Sequence, residues 1–213
     1  MVLIIMNLAI LFDFDGTLTA PGALDLLLIR RFIGCPEKMP ILEFIAGLPE
    51  KDAKKAMTTL DEFELNAAQQ AMPNADAEEI IRYLRAKAIK IGILSRNTQA
   101  SIERAIRNFS QISSADFDLI ISRDDAIRPK PDPEGVLFAA KQMNIAPEHI
   151  MVVGDYIFDI HAGKQAGAMT VFLDNGTLMF PDLECDYRIS SLSELREIVD
   201  SFPPLNHPLM CHS

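Results

Sequence analysis

The chain has 213 residues, and its 30 acidic side chains outnumber its 20 basic ones, so the formal net charge is −10 at neutral pH. That length suits one domain, or one domain with a modest insertion, and it buries enough surface to fold without a disulfide or a structural metal. The acidic balance argues against a general binder of nucleic acid or of anionic membranes, because both repel such a surface. Three widely separated cysteines, Cys35, Cys185 and Cys211, are typical of reduced thiols in a cytoplasmic protein.

The chain begins with an apolar run over residues 1–12 that is interrupted by Asn7 and followed by Asp13 and Asp15. The run carries no basic leader and no small-residue cleavage site, and it is too short to cross a bilayer. We therefore expect neither a signal peptide nor a membrane span here. An apolar stretch that ends at a glycine-containing turn favours a strand buried on both faces, which we place at residues 8–14.

The segment that follows, residues 20–72, has a different pattern. Apolar residues recur at helical spacing, as at Leu24, Leu28 and Phe32, and prolines at positions 36, 40 and 49 separate three helical stretches. No convincing strand pattern occurs in this segment. The sequence therefore predicts an all-helical insertion after the first strand.

After Pro73 strand-like apolar runs alternate regularly with helical stretches. Helices are predicted at residues 76–88, 98–109, 133–143, 157–166 and 193–199, and strands at residues 89–94, 117–121, 149–153 and 169–173. This alternation implies a parallel sheet covered on both faces. The predicted fold class is α/β, with a core formed by residues 1–19 and 73–202, the helical insertion at 20–72, and a loosely held tail at 203–213.

The candidates for chemistry follow the predicted strands or lie in a loop between two of them. Ligands of parallel sheets bind at the carboxyl ends of the strands, so we expect these residues to converge. Asp13 and Asp15 are spaced i, i+2 at the end of the first strand, whereas Asp155 and Asp159 are four apart at a helix start and share one face. The full set of candidates is Asp13, Asp15, Gly16, Ser95, Arg96, Lys130, Asp155 and Asp159.

Several carboxylates that converge in this way require a cation. Two unit charges 4 Å apart repel by about 4 kcal/mol at an effective dielectric near 20, so three or four carboxylates cannot all remain ionised alone. Hard oxygen ligands in this number indicate Mg²⁺, which commonly takes a substrate phosphate oxygen as a further ligand. A serine hydroxyl, a lysine and free backbone N–H groups would complete an anion-binding site. The residues therefore predict a Mg²⁺-assisted phosphoryl-transfer site.

The order of these motifs resembles that of the haloacid dehalogenase (HAD) superfamily, and most closely its phosphoglycolate-phosphatase-like hydrolases. The motifs are the segment DFDGTL at residues 13–18, then Ser95, then Lys130, and then Gly154-Asp155 with Asp159. They span most of the chain and are highly specific in combination. The resemblance implies a Rossmann-like core sheet and a small all-helical cap inserted after the first strand.

The resemblance also implies a role for each residue. Asp13 would be the nucleophile that forms an aspartyl-phosphate, and Asp15 would protonate the leaving alcohol and then activate water. Ser95 and Lys130 would stabilise the phosphoryl group. The phosphate-binding set would be Gly16, Ser95, Arg96 and Lys130, and the Mg²⁺ ligands would be Asp13, Asp15 through its backbone carbonyl, Asp155 and Asp159.

Two departures from the family pattern affect the prediction of the substrate. Arg96 stands between Ser95 and Asn97, where the family often has Ser or Thr directly before Asn, and Tyr156 follows the first metal aspartate in place of Ser or Thr. Neither change removes a catalytic group. The acid at Asp15 favours phosphatases and phosphomutases over dehalogenases.

The resulting hypothesis is a cytoplasmic, Mg²⁺-dependent phosphatase of a small phosphorylated metabolite, with phosphoglycolate as the substrate that the resemblance favours. A β-phosphoglucomutase-like phosphomutase shares the same core and the paired aspartates, so it remains an alternative. A third possibility is a silent regulatory module that binds metal or phosphate, although Asp13 and Asp15 are both intact. We expect no nucleic acid or membrane partner, and the sequence does not predict the oligomeric state.

Overall fold

The computed structural model describes residues 7–176 and 180–202, and it is organised around a parallel sheet. The predicted tail at 203–213 lies outside the described residues, as do the first six residues of the apolar run. The strands are β1 (Ala9–Phe12), β2 (Lys90–Leu94), β3 (Leu119–Ile121), β4 (Ile150–Gly154), β5 (Met169–Leu173) and β6 (Tyr187–Ile189). They lie in the order β3-β2-β1-β4-β5-β6, and all pair in parallel. The α/β fold class predicted from the sequence is confirmed.

The central strand β1 divides the interior into two layers. Because successive side chains of a strand point to opposite faces, Ile10 and Phe12 join one apolar cluster and Ala9 and Leu11 join the other. All four side chains are fully buried. A strand buried on both faces has no polar alternation, which is why the run is continuously apolar.

Helices cover both faces of the sheet. The helices before and after β2, together with the last helix of the described residues, contribute to the first cluster, and the helices before and after β4 contribute to the second. Three further helices, α1 to α3, come between β1 and α4, in the segment predicted to be helical. The bounds are α1 (Leu26–Ile33), α2 (Ile41–Ala46), α3 (Glu50–Gln70), α4 (Ala77–Ala86), α5 (Gln99–Ile106), α6 (Glu134–Met143), α7 (Ile157–Ala166) and α8 (Leu195–Asp200).

The long helix α3 belongs to two apolar clusters. Its residue Leu60 packs with Ile29 and Ile45 in a third cluster, formed within the segment of α1 to α3. Ala68, near its carboxyl end, packs instead in the first cluster of the core. The Nδ2 of Asn108 donates to the backbone carbonyl of Ala68 at 3.0 Å and attaches this end further. The helix therefore joins the helical segment to the sheet-bearing core.

The strand β6 has no counterpart among the strands predicted from the sequence. It has three residues, of which Tyr187 and Arg188 are exposed, so it lacks an apolar run that could indicate a strand. It forms at the sheet edge because β5 offers it unpaired backbone groups. Within the described parts of the chain, none of the helices combines the length and the apolar character that a bilayer span requires.

Candidate active site

The site lies where β1 and β4 end side by side at the centre of the sheet. β1 pairs with β2 on one side and with β4 on the other, so the order of the strands reverses here and a crevice opens at their carboxyl ends. The backbone N–H of Asp13 donates to the carbonyl of Val153 at 2.8 Å. This bond holds the start of the loop after β1 against the end of β4 at the crevice.

Lys130 lies at the centre of the polar residues. Its Nζ is 2.5 Å from Oδ1 of Asp13 and 2.6 Å from Oδ1 of Asp159. The side chain is only 3% exposed. Burial alone would lower the pKa of the ammonium group, but the charges of Asp13 and Asp159 outweigh it and raise the pKa. Lys130 therefore stays charged and neutralises two carboxylates.

A third carboxylate, Asp155, completes a group of potential metal ligands. Asp13, Asp155 and Asp159 each offer one oxygen atom, and these atoms lie within 4.8 Å of one another. Burial raises the pKa of Asp155 to about 8, and the charges of Asp13 and Asp159 contribute further. Hard carboxylate oxygens at this separation fit a divalent cation such as Mg²⁺. The chemistry and spacing of the donors thus suit the metal that the sequence predicts.

Gly16 allows Asp155 to approach the loop after β1. Its φ of +77° is in the left-handed region, and a Cβ atom there would lie 2.2 Å from Oδ2 of Asp155. Its carbonyl accepts a hydrogen bond from Nδ2 of Asn175 at 2.5 Å, and the same Nδ2 donates to Asp155 at 3.3 Å. Only glycine fits between the two carboxylate-bearing loops.

Asp15 lies beside this cluster, with a different environment. Its Oδ2 accepts a hydrogen bond from Nδ2 of Asn97 at 2.6 Å. Burial raises the pKa of Asp15 to about 6 in spite of that hydrogen bond, and the charge of Asp13 adds to the increase. A carboxyl group with a pKa near neutrality can both give and take a proton at physiological pH.

Ser95 and Arg96 lie in the loop that follows β2, at the edge of the crevice. Ser95 is buried, and its Oγ accepts from the backbone N–H of Asn97 at 3.1 Å. The side chain that caps α5 is not Ser95 but Thr98, whose Oγ1 accepts from the N–H of Ser101. The hydroxyl of Ser95 therefore belongs to the loop at the crevice.

The guanidinium of Arg96 links this loop to three other parts of the molecule. It donates to both carboxylate oxygens of Glu43 in α2, at 3.0 and 2.6 Å, and to the backbone carbonyl of Lys130. It also lies over the ring of Phe158, 4.9 Å from the centroid. A substrate phosphate would have to compete with Glu43 for this group.

Comparison with known proteins identifies the family to which the chain belongs. The sequence profile described as haloacid dehalogenase-like hydrolase matches residues 19–173. The chain belongs to the haloacid dehalogenase-like hydrolase family. It is 34% identical over 200 residues to an uncharacterized hydrolase of Saccharomyces cerevisiae, with 91% of each chain covered. It is 28% identical over 207 residues to a phosphoglycolate phosphatase of Aquifex aeolicus, which covers 90% of this chain and 96% of that protein.

Solved structures agree with this assignment at the level of the fold. A hydrolase from Pseudomonas syringae superposes with a TM-score of 0.75 at 20% identity, over 91% of this chain and 97% of that one. The resemblance identified from the motifs is thus confirmed, and the protein is an enzyme of the hydrolase class. The structure of this haloacid dehalogenase-like hydrolase brings Asp13, Lys130 and Asp159 into direct contact, with Asp155 adjacent.

Sequence reasoning misses two amides of the site. Asn97 stands out in the sequence only as a neighbour of Arg96, yet it is the hydrogen-bond donor to Asp15. Asn175 is absent from the candidates, although it follows β5 and connects Gly16 to Asp155. The position of both residues just after a parallel strand is the signal that could have identified them.

We expect the carboxylate cluster to make the stability of this hydrolase depend on pH and on divalent cations. Asp155 has a pKa of about 8 against an ordinary value of 3.8, so the folded protein retains a proton that the unfolded chain loses between these limits. Stability without metal therefore falls as the pH rises through this window. We expect saturating Mg²⁺ to raise the melting temperature by about 5 °C or more at pH 8, and by less at pH 6, where protons compete.

Thermal unfolding in EDTA and in Mg²⁺ at the two pH values measures this effect. The variant Asp155→Asn is the control, because it removes both the titrating group and one of the three carboxylates that could hold a metal ion. An equal shift at both pH values, or no shift, would contradict the expectation.

Proposed function

We propose that this hydrolase is a Mg²⁺-dependent phosphatase that cleaves a small phosphorylated metabolite through an aspartyl-phosphate on Asp13. The observation that supports this most is the placement of Lys130 against Asp13. A buried ammonium 2.5 Å from the carboxylate, next to Asp155 and Asp159, is suited to hold a nucleophile and a phosphoryl group together against their mutual repulsion.

In the first step an Oδ atom of Asp13 attacks phosphorus, and the bond from phosphorus to the leaving oxygen breaks. Asp15 donates its proton to that oxygen, so the alcohol leaves uncharged. In the second step a water molecule attacks the phosphorus of the aspartyl-phosphate and Asp15 accepts the proton of the water. The bond from phosphorus to the Asp13 oxygen breaks, so inorganic phosphate is released and the carboxylate of Asp13 is restored. A pKa raised by burial to about 6 suits Asp15 to both transfers.

The phosphoryl oxygens carry the negative charge throughout these steps. The ammonium of Lys130, the hydroxyl of Ser95 and backbone N–H groups near Gly16 would bind them, and Arg96 would assist once it has released Glu43. Asp13, the backbone carbonyl of Asp15, Asp155 and Asp159 would hold the Mg²⁺. When bound, the ion supplies positive charge that offsets the phosphoryl and carboxylate charges.

The helical segment at residues 20–72 is proposed to act as a cap over this crevice. Glu43 in α2 reaches Arg96 of the core, and residues of α3 lie beside Asp15. A cover of this kind keeps bulk water from the phosphorylated intermediate. Phosphoglycolate, favoured by the resemblance and named in the Aquifex aeolicus relative, is the reference substrate.

The test is hydrolysis of para-nitrophenyl phosphate, with release of inorganic phosphate measured in Mg²⁺ and in EDTA. We expect turnover in Mg²⁺ that EDTA abolishes, and then hydrolysis of phosphoglycolate or another small phosphomonoester. Equal turnover in EDTA would refute the metal requirement. Transfer of the phosphoryl group to a sugar phosphate without release of phosphate would instead support the phosphomutase.

A further inference from the structure

A buried ion pair lies behind the loop that carries Ser95, Arg96 and Asn97, and no step described above uses it. Glu64 of α3 accepts hydrogen bonds from the guanidinium of Arg123 at 2.6 and 3.0 Å. Glu64 is 3% exposed and the Arg123 side chain 11% exposed. Charges buried to this degree are costly unless their geometry is well satisfied, so the position of the pair is tightly determined.

Both members of the pair hold the backbone of that loop. The N–H of Arg123 donates to the carbonyl of Asn97 at 2.8 Å, and its guanidinium donates to the carbonyl of Arg96 at 3.0 Å. Glu64 accepts from the N–H of Thr98 at 3.2 Å. The side chains of the ion pair therefore hold Arg96 and Thr98, and the backbone of Arg123 holds Asn97 between them.

The loop in turn holds the proposed acid. Nδ2 of Asn97 donates to Asp15, and the pair fixes Asn97 through its backbone on both sides. A cavity with room for about one water molecule, about 10 Å³, is lined by Asp15, Asn97 and Glu64 among others. Displacement of the loop by a fraction of an ångström would thus move the hydrogen bond that orients Asp15.

We infer that Glu64 and Arg123 are positioning residues that hold Asn97 against Asp15 and so set the orientation in which Asp15 protonates the leaving group. This rests on the proposed function. Through Glu64, the helix α3 would influence the step in which Asp15 protonates the leaving alcohol. Neither residue touches the reacting atoms.

Two substrates that differ in their leaving group distinguish a positioning role of Glu64 and Arg123 from a merely structural one. A para-nitrophenolate leaves without being protonated, whereas the alkoxide of an alkyl phosphate needs the proton of Asp15. Because Asp15 also activates the water of the second step for both substrates, only the rate of the first step distinguishes them. Loss of positioning should therefore slow release of the alcohol from an alkyl phosphate and leave release of para-nitrophenolate nearly unaffected. A general loosening of the fold would reduce both alike.

The experiment mixes an excess of the full chain with para-nitrophenyl phosphate or glycerol 2-phosphate. It measures the single-turnover rate at which para-nitrophenolate or glycerol is released, which reports the first step alone. For Glu64→Gln and Arg123→Lys we expect this first-step rate on the alkyl substrate to fall about 10- to 100-fold, with a change of less than about threefold on the aryl substrate. Asn97→Ala should show the same selectivity. Its combination with Glu64→Gln should cost little more than either change alone, because both act through one hydrogen bond.

The matched control is Asp61→Asn, which removes the exposed partner of Arg123. Asp61 contacts the guanidinium at 2.5 Å and is 46% exposed, and it does not reach the loop that holds Asn97, so we expect unchanged rates on both substrates. A parallel loss on both substrates, or no loss on either, in Glu64→Gln and Arg123→Lys would overturn the inference. Failure of the native chain to cleave even the aryl phosphate would overturn the proposed function instead.

Discussion

Replacing Asp13 with asparagine is expected to lower phosphatase turnover by about 10⁵-fold or more, because the amide cannot act as the nucleophile. The carboxylate is the group that Lys130 holds at 2.5 Å in the crevice, and Asp15 cannot replace it because its Oδ2 is held by Asn97. The measurement is release of inorganic phosphate from para-nitrophenyl phosphate in Mg²⁺. A single-turnover experiment with the native chain should also yield a phosphorylated protein that the variant does not form.

The control for this variant is Asp174→Asn, which removes a carboxylate that follows β5, two strands away from β1 in the sheet. Asp174 pairs with Arg188 at 3.1 Å and is 38% exposed, so its loss should leave turnover unchanged. Asp13→Asn itself should fold normally, because it relieves repulsion with Asp155 while Lys130 keeps Asp159. Turnover retained by a folded Asp13→Asn protein would exclude the covalent mechanism.

Replacing Lys130 with methionine is expected to destabilise the metal-free protein by about 3 kcal/mol or more, since removal of one partner leaves buried charge without compensation. The methionine side chain is similar in length but lacks the ammonium, so Asp13 and Asp159 lose the group that separates and neutralises them. Turnover should fall about 10³-fold, as the phosphoryl group loses its fixed cation. Urea unfolding in EDTA measures the first effect.

Added Mg²⁺ should recover part of the lost stability in Lys130→Met, because a divalent cation among the carboxylates replaces the missing positive charge. Lys164→Met is the matched control. Lys164 is exposed and pairs with Glu184 at 3.3 Å, so its replacement should change the free energy of unfolding by less than about 0.5 kcal/mol. Equal stability of the two variants in EDTA would show that the buried lysine has no such role.

Much of the fold follows from local sequence patterns. β1 is recognisable because a strand buried on both faces requires a continuous apolar run, and the helices of the core show the spacing of an amphipathic face. Asp13 and Asp155 can be assigned to one site from the sequence alone, because the carboxyl ends of parallel strands converge at one edge of the sheet. The position of a residue at the end of a predicted strand is enough to place it at this edge of the sheet, and no tertiary contact has to be known.

The contacts that sequence reasoning does not provide depend on residues far apart in the chain. Glu64 and Arg123 are separated by 59 positions, and each is an ordinary charged residue until α3 packs against the loop after β2. β6 likewise depends on a tertiary contact, because it forms only by pairing with the edge strand β5. The resemblance implies a phosphate-binding role for Arg96, and only the fold shows that its guanidinium pairs with Glu43 of α2.

The helix α3 is packed both in the helical segment and in the core, and this limits which parts of the segment can move away from the crevice. A helix of 21 residues is about 30 Å long. Its last turns are fixed to the core by Ala68, by Asn108 and by the pair of Glu64 with Arg123. Rotation of the whole segment 20–72 about its two connections would break all of these contacts at once. If the segment covers the crevice as proposed, we expect its movement to be concentrated in α1, α2 and the first turns of α3, with release of Arg96 by Glu43, while the last turns of α3 stay attached to the core.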